Sequence, residues 1–408
     1  MPSAPIRRLG HLRDQLQLYQ PSSRTGSSAE TSGLSSAELT TSWRTLTSTD
    51  IVCGATFNNT RGETPSTDAC VDIVLESFRW GLGLDTAPLY RDSEEIIGKA
   101  IAQSVANGAE PELLARHVIT KVGLRAGDGC DGTVHHGGAT AEAAIQSLSE
   151  SVRRMDLVGP LGALAFHDIA GADLPTTNQL IDAAVAPGGM IEGLRSLREQ
   201  GAICEVSLGM NANGDRPGSA ARPESRQGSC SKNTEPQQIL KLLKAAPPQT
   251  FDSALISGGW NLLNQDAYDV FVECEQQGIA VHNAGVFAGG LIAGGTPTER
   301  MPYTANDEVR DKVKQWEALA DEFEVPLVAV ALRFAALPAV VSKLVIGFVS
   351  PDEVRTTLTF LRDGKYIPSA LFEAAQERGL IRKEVILPVY EAYEDDEILL
   401  AATAAKGH

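Results

Sequence analysis

From Asp50 onward the chain alternates two kinds of segment, and this alternation limits the possible folds more than any other feature. Short runs rich in Val, Ile and Leu lie at Ile51–Thr56, Leu84–Ala87, Val118–Val122, Leu161–Phe166, Ile203–Leu208, Ser253–Ser257, Ile279–Asn283 and Lys343–Ile346. They are apolar on both faces rather than alternating, as buried parallel strands must be. Between them lie segments of helical period at Val71–Trp80, Glu94–Ser104, Ala141–Arg154, Met190–Gln200, Pro236–Ala245, Ala267–Gln277, Val309–Glu322 and Asp352–Leu361. Gly201 and Gly278 stand where helix C-caps belong. Eight strands alternating with eight helices predict an α/β fold, a (β/α)8 barrel.

The barrel accounts for residues 50–400 as one domain. Residues 1–49 read as a low-complexity, disordered extension, Ser/Thr-rich over 21–49. Its first 28 residues carry Arg7, Arg8, Arg13 and Arg24 against the single acid Asp14, a faint likeness to an organelle transit peptide. A polar run at about 211–235 follows the fifth strand and predicts a long loop insertion at the catalytic mouth. Residues 368–400 hold short helical patterns that could pack over one end of the barrel.

Bulk properties narrow the function classes. A net charge of −17 opposes nucleic-acid binding, because a polyanion would be repelled. No apolar run approaches the roughly 20 residues that a membrane-spanning helix needs. The six cysteines form no C-x-x-C pair and read as free thiols in a reducing compartment, so the expected location is cytoplasmic. His135 and His136 lie near Asp128 and Asp131 but lack metal-ligand spacing, and no metal is expected. His282, inside a strand, reads as a satisfied core residue. A monomer or weak homodimer is expected.

Chemistry-bearing residues fall at the ends of consecutive strands: Asp85, with Tyr90 in the following loop, Lys121 and His167. A barrel gathers such positions on one pocket. A phenol is a poor base at neutral pH, and a nearby ammonium lowers its pKa. A buried ammonium in turn needs a carboxylate. Asp85 would therefore hold Lys121, Lys121 would tune Tyr90, Tyr90 would exchange a proton with a substrate oxygen, and His167 would orient that oxygen. Ser93 reads as the N-cap of the following helix, with Glu94 and Glu95 in its first turn.

This constellation resembles the tetrad of the aldo-keto reductase family. Asp85–Gly98 is similar to the family motif D-T-A-x-x-Y-G-x-S-E-x-x-x-G, with Arg91 in place of the usual glycine. Ile119-Thr120-Lys121-Val122 and Phe166-His167-Asp168 resemble its third- and fourth-strand motifs. The resemblance spans residues 51–362. It implies hydride transfer between a nicotinamide cofactor and a carbonyl or alcohol carbon. It places the cofactor phosphates near Gly347 and Ser350 and the nicotinamide carboxamide at Asp168 and Asn211. Arg355 matches a phosphate-contacting arginine, while Glu353 and the neutral Val349 argue against a 2′-phosphate. NAD is favoured over NADP by charge, and NADP stays open.

The segments 206–211, 251–263 and 281–291 resemble the aldose 1-dehydrogenase branch, which includes L-galactose, D-arabinose and D-threo-aldose dehydrogenases. The implied reaction oxidises the anomeric carbon of a cyclic sugar to a lactone. Trp260, where many members have tyrosine, would either stack on the sugar or pack in the core. An NADPH-dependent aldehyde or pyridoxal reductase and a catalytically silent binding subunit are the alternatives. The expected partner is a small sugar or aldehyde.

Overall fold

In the computed structural model, which describes residues 38–44, 46–57, 65–126, 133–135, 139–169, 174–212, 236–294, 307–364 and 367–388, eight parallel strands close on themselves. In chain order they are β1 (Ile51–Gly54), β2 (Gly83–Asp85), β3 (Val118–Val122), β6 (Leu161–His167), β7 (Ile203–Asn211), β8 (Ser253–Ser257), β9 (Ala280–Ala284) and β10 (Val341–Ile346). An antiparallel hairpin, β4 (Leu124–Ala126) with β5 (Thr133–His135), is inserted after β3. Ring neighbours are also chain neighbours once the hairpin is set aside, and β10 closes onto β1.

The helices are α1 (Thr67–Arg79), α2 (Ser93–Ala106), α3 (Pro111–Arg116), α4 (Ala141–Met155), α5 (Leu174–Val185), α6 (Met190–Glu199), α7 (Pro236–Ala245), α8 (Tyr268–Gln277), α9 (Asp307–Glu322), α10 (Leu327–Ala335), α11 (Pro351–Gly364) and α12 (Ser369–Glu377). Local chemistry sets their ends. Ser66 caps α1 by accepting from Ala69 N, and Thr140 caps α4 by accepting from Ala143 N. Gly201 and Gly278 follow α6 and α8 at φ of 70° and 67°, as the sequence predicts.

Two apolar cores result from the alternation of side chains along each strand. Val52, Ile119, Ala163, Leu255, Ala284 and Val345 form a small separate cluster, one residue from each of six strands. The larger core lies between the outer faces of the strands and the helices. Inward positions nearer the strand ends carry polar groups instead, and those at the C-terminal ends build the candidate site.

Four elements carry no helix or strand signal in the sequence reading. Of these, α10 is instructive. Ala329, Val330, Ala331, Leu332, Phe334 and Ala335 are all buried, and an apolar run this short reads as readily as a strand as it does a helix. The others are α3, α5 and the hairpin. Of residues 1–49, those before Glu38, and Thr45, lie outside the described residues. The rest of that stretch packs on the barrel: Leu39 is 1% exposed, Trp43 Nε1 donates to Pro388 O at 2.9 Å, and the Trp43 ring lies 4.9 Å from Phe372 of α12. Residues 213–235, the bulk of the expected loop insertion, lie outside the described residues, as do 389–400 of the C-terminal segment.

The structure corrects the reading of Ser93 as an N-cap. Asp92 holds that position, and Ser93 is the first helical residue. Its buried hydroxyl donates to Ala55 O at 2.6 Å and meets Thr86 Oγ1 at 2.8 Å, tying α2 to β1 and β2. Glu94, 0% exposed, accepts from Thr120 Oγ1 of β3 at 2.7 Å and from Arg154 Nε of α4 at 2.5 Å. Gly98 lets these helices meet, because a Cβ there would lie 3.0 Å from Met155 Cα. Glu94 thus clamps two helices to β3. Removing one partner of such a cluster strands the others in a dry site. Glu94→Ala is expected to lower unfolding free energy by about 3 kcal/mol in urea titrations; a loss below about 0.5 kcal/mol would show that the clamp does not hold the fold.

Candidate active site

The C-terminal ends of β2, β3 and β6 bring together the groups singled out in the sequence. Asp85 is the last residue of β2, Lys121 the last but one of β3, and His167 the last of β6. Each is almost wholly buried, at 3%, 1% and 3% exposure. Lys121 Nζ donates to Asp85 Oδ2 at 2.5 Å and to Thr86 O at 3.0 Å. Tyr90 stands on a single 3-10 turn, Pro88–Tyr90, that follows β2. Lys121 Nζ lies 4.8 Å from the centre of its ring, and the His167 ring meets it edge-on at 5.8 Å. Acid, amine, phenol and imidazole therefore share one site.

Its electrostatics follow from burial. Desolvation works against the Lys121 ammonium, but Asp85 and Tyr90 outweigh it and hold its pKa above the ordinary value. Lys121 therefore stays charged. Desolvation likewise pushes the Asp85 carboxyl up, against the pull of Lys121, and Asp85 Oδ1 has no hydrogen-bond partner among the described residues. The expected lowering of Tyr90 is corrected. Lys121 does pull the phenol down, but burial is the larger influence and its pKa is raised.

The backbone beside Tyr90 explains one feature of the motif. Arg91 has φ 55° and ψ −113°, a region that glycine enters freely and other residues enter at a cost of about 1–3 kcal/mol. A glycine would suit that position. The arginine holds the same turn under strain.

Asp168 and Asn211, expected at the cofactor amide, sit side by side. Asn211 donates to Asp168 through its backbone N at 2.9 Å and its Nδ2 at 2.6 Å. Gly347 is exposed just beyond β10, and a Cβ there would meet only Gly54 O, at 3.7 Å. Ser350 Oγ caps α11 by accepting from Glu353 N, and Glu353 Oε2 accepts from Val349 N at 3.0 Å. Arg355 is ion-paired with Glu76 of α1 at 2.8 Å and with Asp352. Burial opposes the Glu76 charge, yet donors from Trp80, Arg355 and Arg79 hold its carboxyl below the ordinary range.

The structure decides between the two readings of Trp260 and corrects that of His282. Trp260 is 0% exposed and stacks on Phe334 with ring centres 5.3 Å apart, and its Nε1 donates to Phe334 O. No face remains for a sugar, so core packing accounts for it. His282 points into the barrel beside Lys343, but its Nδ1 has no partner among the described residues. Burial, with Lys343 nearby, lowers its pKa to about 3, so it is a neutral and incompletely satisfied imidazole. Sequence reasoning also missed Thr86, whose carbonyl holds Lys121; backbone acceptors leave no residue-type signal. Among the described residues no group of three or more His, Cys, Asp or Glu could hold a metal ion. His136, Asp128 and Asp131 lie outside them.

Residues 226–363 match the sequence profile of the aldo/keto reductase family. A pyridoxal 4-dehydrogenase of Microbacterium luteolum is 26% identical over 342 residues, spanning 78% of this chain and 90% of that protein. A D-threo-aldose 1-dehydrogenase of a Pseudomonas species is 27% identical over 144 residues, 34% of this chain and 43% of that protein. Among solved structures, an aldo-keto reductase of Bacillus halodurans in its holo form shares the fold, with a TM-score of 0.56, 20% identity, and coverage of 84% of this chain and 94% of that one.

The core position of Trp260 is directly testable. Trp260→Phe is expected to cost about 1–3 kcal/mol of stability through the lost indole volume and hydrogen bond. The KM of any turned-over substrate should stay within about twofold, since the side chain touches none. A tenfold rise in KM with unchanged stability would restore the stacking role.

Proposed function

We propose that this chain, whose residues 226–363 match the aldo/keto reductase family profile, is an NAD(P)-dependent oxidoreductase that converts the hemiacetal carbon of a cyclic substrate to a lactone. One observation carries the proposal: a lysine and an aspartate buried together against a phenol. Taking two charges out of water costs several kcal/mol per ion, and a well-packed apolar pair would serve stability as well or better. Such a pair beside a titratable phenol is what proton transfer requires.

The roles follow from the chemistry. NAD(P)+, when bound, supplies the hydride acceptor. Asp85 keeps Lys121 charged. Lys121 favours the phenolate of Tyr90. Tyr90 takes the proton from the hemiacetal hydroxyl as the carbon–oxygen double bond forms and the C–H bond is lost as hydride. His167 donates a hydrogen bond to the same oxygen. Asp168, Asn211, Gly347, Ser350, Glu353 and Arg355 would hold the cofactor. Open backbone at Gly347 and the carboxylate–amide pair of Asp168 and Asn211 fit such a ligand. Arg355 is engaged by Glu76 and Asp352, and Glu353 stands close by. These charges support NAD over NADP.

An aldose is the proposed substrate. Pyridoxal is the second reading, supported by the longer match to pyridoxal 4-dehydrogenase. The two share a chemistry: each carries an aldehyde within reach of its own hydroxyl group and closes to an internal hemiacetal. A panel of aldoses and pyridoxal, each with NAD+ and NADP+, read by absorbance of the reduced nicotinamide, tests the proposal. Reduction with an aldose is expected. Reduction with pyridoxal alone selects the second reading. No reduction with any of them leaves a silent binding protein.

Tyr90 sets two further outcomes. Tyr90→Phe is expected to lower kcat at least about a hundredfold while the protein stays folded by circular dichroism. Because burial raises the phenol pKa, the base form is scarce at neutral pH. Oxidation should therefore rise with pH between about 7 and 9, while carbonyl reduction, which uses the protonated phenol, should not rise. An oxidation rate independent of pH over that window would remove Tyr90 as the base.

A further inference from the structure

Lys121 reaches its partners through a slot that a side chain on β7, two strands along the ring, would fill. The register aligns Lys121 with Ala165 of β6 and His167 with Gly209 of β7. A Cβ built at Gly209 would lie 2.9 Å from Lys121 Cε and 3.0 Å from Cδ, and 3.7 Å from Ala165 Cβ. The first distance is shorter than real Cβ contacts. A free lysine stem would simply swing aside. This stem is 1% exposed and fixed at both ends, by strand β3 and by the bonds from Nζ to Asp85 and Thr86. The backbone of Gly209 adopts an ordinary strand conformation between Leu208 and Met210, so no left-handed φ calls for glycine there. The close approach of the lysine does.

We infer that Gly209 is a positioning residue of the reaction: the absence of a side chain at this point of β7 sets where the Lys121 ammonium sits relative to Tyr90. It rests on the reading of Tyr90 as the proton-transfer group. A methyl group at 209 displaces the stem and moves Nζ off the phenol, so the ammonium stabilises the phenolate less. A displacement of about 1 Å in such a site lowers rate by up to about a hundredfold.

The experiment compares Gly209→Ala, Ala165→Gly/Gly209→Ala and Tyr90→Phe with the unaltered enzyme in the oxidation direction, with the nicotinamide cofactor it uses. Gly209→Ala is expected to lower kcat about tenfold to a hundredfold. It should also shift the alkaline rise in kcat to higher pH, a change that mere loosening of the fold would not produce. The double variant removes one methyl as it adds the other, so the stem regains room, and kcat and the pH profile should return toward the original. It also serves if Gly209→Ala alone fails to fold. An unshifted profile at near-original kcat in Gly209→Ala overturns the inference. So does a double variant that folds but stays as impaired as the single. An unimpaired Tyr90→Phe removes the proton-transfer reading and this inference with it, whereas an inactive Tyr90→Phe beside an unaffected Gly209→Ala removes this inference alone.

Discussion

The site depends on keeping an ammonium and a carboxylate charged inside a closed barrel. Lys121 and Asp85 are each almost wholly buried, and their 2.5 Å contact is what lets either remain ionised. Thr86 O accepts a second hydrogen bond from the ammonium. Ile119, Ala163 and Ala165 add small or apolar surface close by, and both groups are shut off from water. That low-polarity setting strengthens the attraction and also raises the cost of any misplacement. Every other feature of the site can be understood as fixing these two groups and the phenol beside them.

Much of the Asp85–Gly98 segment serves this support rather than the chemistry. Asp85 and Tyr90 face the site. Thr86 and Ser93 bond to one another, Ser93 also ties to β1, and Glu94 joins α2 to β3 and α4. Gly98 lets α2 approach α4 closely enough for the Glu94–Arg154 contact. A sequence of this kind carries a fold instruction and a chemical one in the same fourteen residues.

The eight strands were legible because Val, Ile and Leu cluster wherever both faces of a strand are buried. Asp85, Lys121 and His167 were legible because each interrupts such a run at its C-terminal end. What stayed hidden was of three kinds. Helix α10 is a short apolar run, whose length and composition do not separate helix from strand. The Thr86 carbonyl and the gap at Gly209 act through atoms that residue type does not reveal. The balance at Tyr90 depends on magnitudes: residue types alone place a lysine nearby, but only the depth of burial decides that desolvation outweighs it. Ser93 was misread, and the place of Trp260 stayed open, for a related reason, since their partners, Ala55 and Phe334, are distant in the chain.

Lys121 and its neighbour Thr120 are held from opposite faces of β3, and this pairing protects the chemistry. A slip of one residue in strand register would turn every side chain of β3 to the other face. Thr120 would enter the lumen and Lys121 would be driven against the helices. The fixed bond from Thr120 to Glu94, itself anchored by Arg154, opposes that slip from outside. The bonds from Lys121 to Asp85 and Thr86 oppose it from within, as does the slot beside Gly209. Neither set alone defines both the register and the position of the amine. The outer clamp fixes which way Lys121 points, and the inner slot fixes how far along that direction its nitrogen travels. Proton transfer at Tyr90 needs both, because the influence of an ammonium on a phenol depends on distance as well as direction.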